Sequence, residues 1–451
     1  MRVFAGLVLS TVLMSNAVGV DVAHATRSIK LATCDYTGNA ALASDPSSFI
    51  ATHYDWMIIG GAAFPNVVSA QKAQNPNLKI FGYHDSAWTY LTNLPADMYF
   101  YDPDTTSHDR VAVLNQLALM LDPGSADRRN YALSSLAAFF TAGYDGAMLD
   151  DVWADPNGHV SISGGGGLQQ ILQYDSSGNT TTYATTPSWL NTTVWDPAFE
   201  DLLSYVHSNI DSSKLVIYNG IDRTPNYGGG IYLGDPNQSQ HYSDGFMMEG
   251  FATSNAYTLA NADPWVAFDS TWINMMTAML NNSANTNAKL VVTVSYGAPD
   301  GTYPDFTAQG LRLYALASYL LGATDHSYFF YGVGGSSGCQ NVSYFPEWDV
   351  NYGTPTNTVA NDQNYNVYRR SFSNAEVFVN PSSTTASNPI PVSVPMYRVE
   401  PSGGYIPGIP DNLAGDNGQG TGQLQLVPYA PGSSFTVPPA SAVILVYNPN
   451  L

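Results

Sequence analysis

Charged side chains are scarce in this chain, and most of those present are acidic. Only 11% of its 451 residues are charged, with 15 Lys and Arg against 36 Asp and Glu, so the formal net charge is −21. Nucleic acids and anionic membrane surfaces are bound through clustered Lys and Arg, which this composition does not provide. We therefore expect neither nucleic acid nor a membrane among the partners of this protein.

Cysteine is nearly absent as well. The two cysteines, Cys34 and Cys339, are too few for a disulfide-rich scaffold or a cysteine-based zinc site. The eight histidines form no HExxH or comparable pair, which argues against a zinc hydrolase. We expect no bound metal and no other cofactor.

Long apolar runs are also missing, since none reaches the roughly 20 residues that span a bilayer. The run from Val3 to Met14 follows Arg2 and precedes Ala23-His24-Ala25. One positive charge, a short apolar stretch and a small-x-small site are typical of a secretory signal peptide. We expect residues 1–25 to be removed and the mature chain to be a secreted monomer, extracellular or periplasmic.

Short apolar runs recur along the rest of the chain, separated by segments with helical spacing. Eight of them have the character of buried parallel strands: Lys30–Asp35, Asp55–Ile59, Lys79–His84, Gly146–Asp150, Leu215–Asn219, Gly245–Glu249, Leu290–Ser295 and Ser327–Tyr331. Eight strand-to-helix alternations predict an α/β fold, a (β/α)8 TIM barrel. An open doubly wound sheet is the alternative, although no GxGxxG turn follows the first strand.

The pattern changes near Ser371, where alternating runs are separated by Pro- and Gly-rich stretches. This change predicts a small antiparallel β domain after the barrel. We therefore divide the chain into a signal peptide, residues 1–25, a barrel domain, residues 26–368, and a C-terminal β domain, residues 369–451. The last is a structural cap or a binding module.

Two strands of the predicted barrel end in acids. The fourth ends in Asp150 and Asp151, and the sixth ends in Glu249. Both segments read Asp-Gly, three apolar residues, then an acid. The carboxyl ends of barrel strands lie on the face where active sites are built. If Met148 faces the barrel axis, alternation directs Asp150 to the mouth and Asp151 to the other side.

Paired carboxyl groups are what the cleavage of a glycosidic bond requires. One protonates the leaving oxygen, and the other attacks the sugar or activates water on its opposite face. A single acid at a strand end is commonly a helix cap or a salt-bridge partner. Neither segment contains Lys or Arg, so the matched acids favour catalysis. The doubled acid leaves open whether Asp150 or Asp151 acts.

Other polar and aromatic side chains follow the strand ends and are candidates for substrate binding. They are Asp35, Tyr36, His84, Asp85, Trp88, Trp153, Asn219 and Tyr296. The tryptophans, and Tyr90 beside them, are suited to stacking on sugar rings. Each of these residues taken alone is as well explained by ordinary packing.

Several short motifs resemble a known family. They are GYDGAMLDDV (residues 143–152), Leu121-Asp122-Pro123, Asn75-Pro76-Asn77-Leu78-Lys79, Phe378-Val379-Asn380-Pro381 and Val437-Pro438-Pro439. Together they resemble glycoside hydrolase-like family 15, a (β/α)8 group distinct from the glucoamylases. A more distant likeness is to the galactosaminidases of glycoside hydrolase family 114, which carry acids after the fourth and sixth strands. By that likeness Asp150 and Glu249 match the two acids.

The intrinsic pKa values suggest how the two acids divide the work. Asp titrates near 3.9 and Glu near 4.3, and Glu249 is flanked by Met247, Met248 and Phe251. An apolar surround would keep Glu249 protonated, so we assign Asp150 as nucleophile or base and Glu249 as general acid. The resemblance to retaining barrel families favours retention over inversion.

Three functions remain open at this point. The first is a glycosidase acting on a polysaccharide or oligosaccharide, and its acidic cleft favours a neutral or amino-sugar polymer. The second is a catalytically inactive barrel that binds carbohydrate. The third is a metal-assisted hydrolase that uses Asp35, Asp150, Asp151 and Glu249 as oxygen ligands.

The two cysteines are placed near each other by a closed barrel. Cys34 lies at the end of the first strand and Cys339 follows the eighth, and these strands are neighbours on closure. Export favours oxidation. We therefore predict a Cys34–Cys339 disulfide, the alternative being two separate buried thiols.

Overall fold

A computed structural model gives the fold. It describes residues 27–35, 49–60, 64–101, 110–113, 118–152, 160–161, 171–174, 180–183, 195–220, 233, 242–254, 265–297, 308–333, 344–400 and 425–448. The predicted signal peptide, residues 1–25, lies outside these residues. Its removal and the secretion of the chain therefore stay predictions.

Eight parallel strands form one sheet that closes on itself. Strands β1 to β8 span Ala32–Asp35, Trp56–Ile59, Lys79–Asp85, Gly146–Asp150, Leu215–Asn219, Gly245–Glu249, Leu290–Gly297 and Ser327–Val333. Each strand pairs with the next in this order. The backbone N–H of Phe329 on β8 donates to the carbonyl of Lys30, just before β1, at 2.9 Å. The predicted barrel is confirmed, and the open sheet is excluded.

Helices surround this sheet. Helices α1 to α6 of the described residues span Phe49–His53, Pro65–Gln74, Ala126–Thr141, Trp195–Asn209, Asp269–Ser283 and Ala308–Gly322, with 3₁₀ turns at Ala96–Met98 and Pro346–Asp349. Ser125 caps α3, because its side chain accepts a hydrogen bond from the backbone N–H of Arg128. Within the described part of the chain, no helix is both long and apolar enough to cross a membrane.

Side chains of the barrel strands alternate between the barrel interior and the surrounding helices. Phe81, Met148 and Met247 belong to the cluster that fills the interior. Leu149 belongs instead to the larger core between strands and helices. Because Met148 faces the axis, Asp150 two residues later reaches the mouth, as predicted.

An aspartate precedes each of β2, β4 and β6 and binds the strand before it. The carboxylates of Asp55, Asp145 and Asp244 accept hydrogen bonds from the backbone N–H groups of Leu31, Ile80 and Val216, at 2.8, 2.8 and 3.0 Å. They also pair with Arg27, Lys72 and Lys289. These contacts join β1 to β2, β3 to β4 and β5 to β6 at the amino-terminal end of the barrel.

The Asp-Gly pair that is repeated at β4 and β6 therefore has a structural explanation. A Cβ atom on Gly146 would collide with the carbonyl oxygen of Leu215, and one on Gly245 with that of Leu290. The aspartate anchors the preceding strand, and the glycine admits the backbone of the following one. Three apolar residues then cross the barrel wall to the acid at the mouth.

Asp244 provides a test of this arrangement. Burial alone would raise the pKa of Asp244, but hydrogen bonds from His207, Lys289 and the Val216 N–H outweigh it and hold the pKa below its usual value. A depressed pKa in the folded state adds stability at pH values above about 3.9, and this is lost as the pH falls through the folded-state pKa. Asp244→Asn is expected to cost about 1–3 kcal/mol in urea unfolding at pH 7, and less at pH 3.

Asp325, which precedes β8, is the matched control. Its carboxylate is almost fully exposed and contacts His326, so Asp325→Asn is expected to change stability little at either pH. A cost for Asp244→Asn that is the same at pH 7 and pH 3 would show that packing, and not the charge, accounts for it.

A second, antiparallel sheet follows the barrel. Strands β9 to β16 span Ala360–Asp362, Val367–Ser371, Ala375–Asn380, Ile390–Pro391, Met396–Glu400, Gln425–Tyr429, Ser434–Phe435 and Ser441–Val446. Six of them form a sheet in the order β9-β10-β11-β16-β13-β14, and β12 pairs with β15. This confirms a C-terminal β domain. The sheet begins upstream of residue 369, and the division of the chain into domains stays a prediction.

The sheet packs on α6 of the barrel. Ala375, Val377 and Ile444 share a core with Leu311 of that helix. Arg370 Nη1 donates to the carbonyls at the end of α6, those of Leu320, Leu321 and Ala323, at 3.0, 3.1 and 2.8 Å. A cation at a helix C-terminus satisfies carbonyls that have no partner within the helix. Within the described residues, these contacts have the character of a structural cap.

Short strands in the long loops form three further sheets on the barrel. Trp88–Thr89, Leu119–Met120, Ala112–Val113 and Val160–Ser161 form the first, Thr180–Tyr183, Ile171–Tyr174 and Phe100–Tyr101 the second, and Thr253–Ser254 and Trp265–Val266 the third. The first two join the loop after β3 to the loop after β4. These are the loops that follow Asp85 and Asp150.

Candidate active site

One amide group joins the two predicted acids. Asn219 Nδ2 donates to Asp150 Oδ1 at 2.7 Å and to Glu249 Oε2 at 2.8 Å. The two oxygens are therefore no more than about 5.5 Å apart. Asp150, Asn219 and Glu249 end β4, β5 and β6, and each lies two residues after a side chain of the barrel interior. Three adjacent strands thus bring these side chains together.

Glu249 is exposed, whereas Asp150 is buried. The other oxygen of Glu249, Oε1, accepts a hydrogen bond from the Tyr296 hydroxyl at 2.9 Å. The expectation of an apolar surround for Glu249 was wrong, because Met248 points to the outer core and Met247 lies below in the barrel. Asn219 and Tyr296, predicted as substrate-binding residues, bond to the carboxylates, and their contact with substrate stays a prediction.

Asp150 is held by several donors. Asn219 Nδ2 donates to it, and the backbone N–H of Asp151 donates to its Oδ1 at 2.9 Å. Burial raises the pKa of Asp150, while hydrogen bonds from Asn219, Tyr83 and the Asp151 N–H oppose the rise. Each of these donors favours the ionised form of Asp150.

Asp151 also lies at the mouth, although strict alternation directs it elsewhere. Its backbone is left-handed, with φ of 54°, and its Oδ2 accepts a hydrogen bond from Trp88 Nε1 at 2.6 Å. Burial, then the charges of Asp150, Asp85 and Glu249, raise the pKa of Asp151 well above its usual value. A left-handed aspartate is a strained backbone of the kind that collects at functional sites.

Asp85 completes a group of three acids beside Glu249. Its Oδ1 accepts from the backbone N–H groups of Ala87 and Trp88 at 3.1 and 2.9 Å, and its Oδ2 accepts from the Tyr83 hydroxyl at 3.3 Å. Burial and the charge of Asp150 raise the pKa of Asp85 well above its usual value. The crowding of these carboxyl groups thus disfavours the ionisation of all of them at once.

His84 does not line the mouth, contrary to prediction. It lies on the outer side of β3, where Arg128 Nη1 donates to its Nε2 at 3.1 Å. Burial and the charge of Arg128 lower the pKa of His84 well below its usual value, so the ring is neutral. Side chains alternate along β3, so Tyr83 and Asp85 lie on its inner face and His84 lies on its outer face.

Arg128 is a residue of this region that the sequence did not single out. Its guanidinium is fully buried and donates to the carbonyls of Asp85 and Ser86, both at 3.0 Å. Burial lowers the pKa of Arg128 to about 10, and it remains charged at neutral pH. This contact fixes the backbone after β3. The alternation of side chains along β3 could have identified Tyr83, which lies on the same face as Asp85. It could not identify Arg128, whose hydrogen-bond partners lie far away in the chain.

Some predicted residues lie outside the described part of the chain. Tyr36 and Trp153 are among them, and the side chain of Asp35 at the end of β1 is not described. Cys339 also lies outside it. Cys34 is disulfide-bonded and faces the barrel interior. The pairing of Cys34 with Cys339 stays a prediction.

Part of the chain is similar to a known protein family. Residues 168–376 match hypothetical glycosyl hydrolase family 15. The match is to a glycosyl hydrolase family. It confirms the resemblance over that segment, which contains Asn219 and Glu249 and begins after Asp150. This match supports a glycosidase with a carbohydrate substrate. In a separate comparison, no curated protein matches the chain.

Solved structures are only distantly similar. The glycoside hydrolase domain of PelA from Pseudomonas aeruginosa is 14% identical, with a TM-score of 0.41, over 69% of this chain and 96% of that chain. Eubacterium rectale Amy13B is 12% identical, with a TM-score of 0.46, over 93% of this chain and 94% of that chain. Similarity at this level does not bear on the substrate of the present chain.

Proposed function

We propose that this protein cleaves the glycosidic bonds of a neutral or amino-sugar polysaccharide, with Asp150 and Glu249 as its two catalytic carboxyls. The observation that carries the proposal is the single amide, Asn219 Nδ2, bonded to both acids. A structural acid at a strand end needs no such partner. The amide sets the separation of the two carboxyls, the quantity on which glycoside cleavage depends.

The short distance between the facing oxygens of the two acids favours retention of configuration. Retaining enzymes hold their carboxyls about 5–5.5 Å apart, and inverting enzymes about 6.5–9.5 Å, to leave room for a water. The oxygens of Asp150 and Glu249 that share the amide are no more than about 5.5 Å apart. In the proposed mechanism one carboxylate attacks the anomeric carbon, and water later releases the sugar.

The environments support Asp150 as the nucleophile and Glu249 as the general acid and base. Asp150 is buried at the mouth, and hydrogen bonds from Asn219, Tyr83 and the Asp151 N–H oppose the rise that burial causes in its pKa. Glu249 is exposed, so it can exchange protons with water and reach a leaving oxygen. In the proposed mechanism Glu249 supplies the proton that the leaving oxygen takes up.

The charge of the mouth bears on the substrate. Four carboxyl groups, those of Asp85, Asp150, Asp151 and Glu249, lie together there, and the nearby Arg128 is buried behind β3. Those of them that are ionised would repel uronates and sulfated sugars at short range. Neutral sugars are not repelled, and a protonated amino sugar would be attracted.

Two other functions are separated from this one by experiment. An inactive carbohydrate-binding barrel would bind glycans and leave them intact. A metal-assisted hydrolase would lose activity in a chelator. Among the residues that the structure describes, no group of three or more His, Cys, Asp or Glu side chains is arranged to hold a metal ion.

The test is a product screen of the mature chain, from residue 26, on neutral, amino-sugar and uronate polysaccharides, with and without EDTA. We expect new reducing ends from at least one neutral or amino-sugar polymer, unaffected by EDTA, and none from polygalacturonate or alginate. The Asp150→Asn/Glu249→Gln double variant is the control for contaminating activity. Cleavage of uronates alone, or release equal to that of the double variant, would refute the proposal.

A further inference from the structure

Tyr90 and Leu91 form an exposed apolar step beside the acids. The side chain of Tyr90 is 63% exposed, the largest exposure of any large hydrophobic side chain in the described residues, and that of Leu91 is 44% exposed. Single exposed apolar residues are ordinary on a protein surface. Two in succession on the loop that leaves a candidate active site call for a physical explanation.

The backbone under this step is held in place. The Tyr99 hydroxyl donates to the carbonyl of Leu91 at 2.7 Å and accepts from the backbone N–H of Leu94 at 3.1 Å. Arg110 Nη1 donates to the carbonyl of Thr92, and its guanidinium lies 3.9 Å from the centre of the Tyr99 ring. The step is thus presented on a fixed support, and little ordering would be needed for it to bind a ligand.

The step is connected to the acids through Trp88. The rings of Trp88 and Tyr90 meet edge to face, with centres 5.1 Å apart. The Trp88 indole donates to Asp151 Oδ2, and its backbone N–H donates to Asp85 Oδ1. One residue therefore fixes both the acids of the mouth and the position of the exposed ring.

We propose that Tyr90 is a sugar-binding subsite, on which a pyranose ring of the polysaccharide stacks outside the pair Asp150 and Glu249. This inference rests on the proposed function and adds a subsite to it. The face of an aromatic ring carries partial negative charge, which attracts the C–H bonds on one side of a pyranose. Tyr90 contributes no formal charge, so it binds neutral and amino sugars alike. The subsite makes affinity depend on chain length, because a substrate too short to reach Tyr90 gains no binding energy from it.

The test measures binding apart from cleavage. In the Asp150→Asn background, Tyr90→Ala and Tyr90→Phe are compared by affinity electrophoresis in gels containing glycol chitosan, arabinogalactan or mixed-linkage glucan. We expect at least one polymer to retard the Asp150→Asn protein, Tyr90→Ala to weaken this binding about tenfold, and Tyr90→Phe to preserve it. Tyr447→Ala removes another exposed tyrosine, on the C-terminal β domain, and is expected to change nothing.

The outcomes also separate this proposal from the proposed function. Equal retardation of Tyr90→Ala and its parent, or retardation by none of the three polymers, would overturn the subsite, whatever the hydrolysis assay shows. Loss of binding on Tyr90→Ala, with no polymer cleaved by the unmodified protein, would support the subsite and reject the glycosidase. In the active chain, Tyr90→Ala is expected to raise the KM for a polymer and to spare aryl glycosides.

Discussion

Asp150→Asn is expected to lower kcat by at least about 10³-fold on polysaccharides and aryl glycosides alike, because both need a nucleophile. Glu249→Gln is expected to impair polysaccharides by about 10²–10⁴-fold and to spare kcat/KM for aryl glycosides, since a phenolate leaves with little protonation. The measurement is kcat and kcat/KM for each variant on a cleaved polymer and on an aryl glycoside of its sugar, because loss of the base that activates water lowers kcat in a retaining enzyme whatever the leaving group. The opposite pattern would make Glu249 the nucleophile.

Asp151→Asn decides which of the adjacent acids acts. Asparagine tolerates the left-handed backbone at this position, so the change removes the charge with little strain. We expect Asp151→Asn to retain activity that Asp150→Asn lacks. Asp97→Asn, a buried acid bonded to Ser125, is the control for folding. If Asp151→Asn is inactive and Asp150→Asn is active, Asp151 and not Asp150 is the nucleophile.

Asn219→Ala is expected to lower kcat by about 10²–10³-fold with little change in KM, a loss typical of removing one preorganised donor. The variant removes the group that bonds to both Asp150 and Glu249, so the two carboxyls are no longer held together. Asn282→Ala is a matched control, because Asn282 is an equally buried asparagine whose side-chain amide donates to the Ala278 carbonyl within α5. It should leave kcat unchanged.

Asn219→Asp separates positioning from simple stability. This variant keeps the shape of the side chain but replaces the donor by a further carboxylate. It should be nearly inactive at pH 7 and regain part of its activity at low pH, where a protonated carboxyl can donate one hydrogen bond. A loss that is independent of pH would indicate that the position serves folding alone.

Two acids of the mouth, Asp85 and Asp151, also affect how stability depends on pH. The pKa values of Asp85 and Asp151 are raised in the folded chain, first by burial and then by neighbouring charges. Between the usual pKa and the raised one, the folded chain binds more protons than the unfolded chain. This group therefore reduces stability as the pH rises through that window, whereas Asp244 acts in the opposite direction. These two acids therefore destabilise the fold least at acidic pH.

The barrel was predictable because its signals are local. A buried strand such as Gly146–Asp150 must be a short apolar run, and its side chains must alternate. The acids Asp150 and Glu249 could be placed at the mouth from this period and from the direction shared by parallel strands. The same argument could not place Asp151, because a left-handed residue ends the alternation.

Residues that act through distant partners were beyond the sequence. Arg128 lies on α3 and holds the backbone after β3, and no spacing in the chain links the two. The prediction placed His84 at the mouth because it stands at a strand end beside Asp85. The alternation of side chains along β3 directs it to the outer face of the strand.

The sequence alone determined the fold class, the eight strands and the two strands that end in acids, since these follow from burial and periodicity within short segments. Tertiary structure alone decided that one amide, Asn219, bonds to both acids, and that Trp88 ties Asp85 and Asp151 to Tyr90. Such contacts depend on distances between strands and loops far apart in the chain. Those distances are set only when the barrel closes and its core is packed.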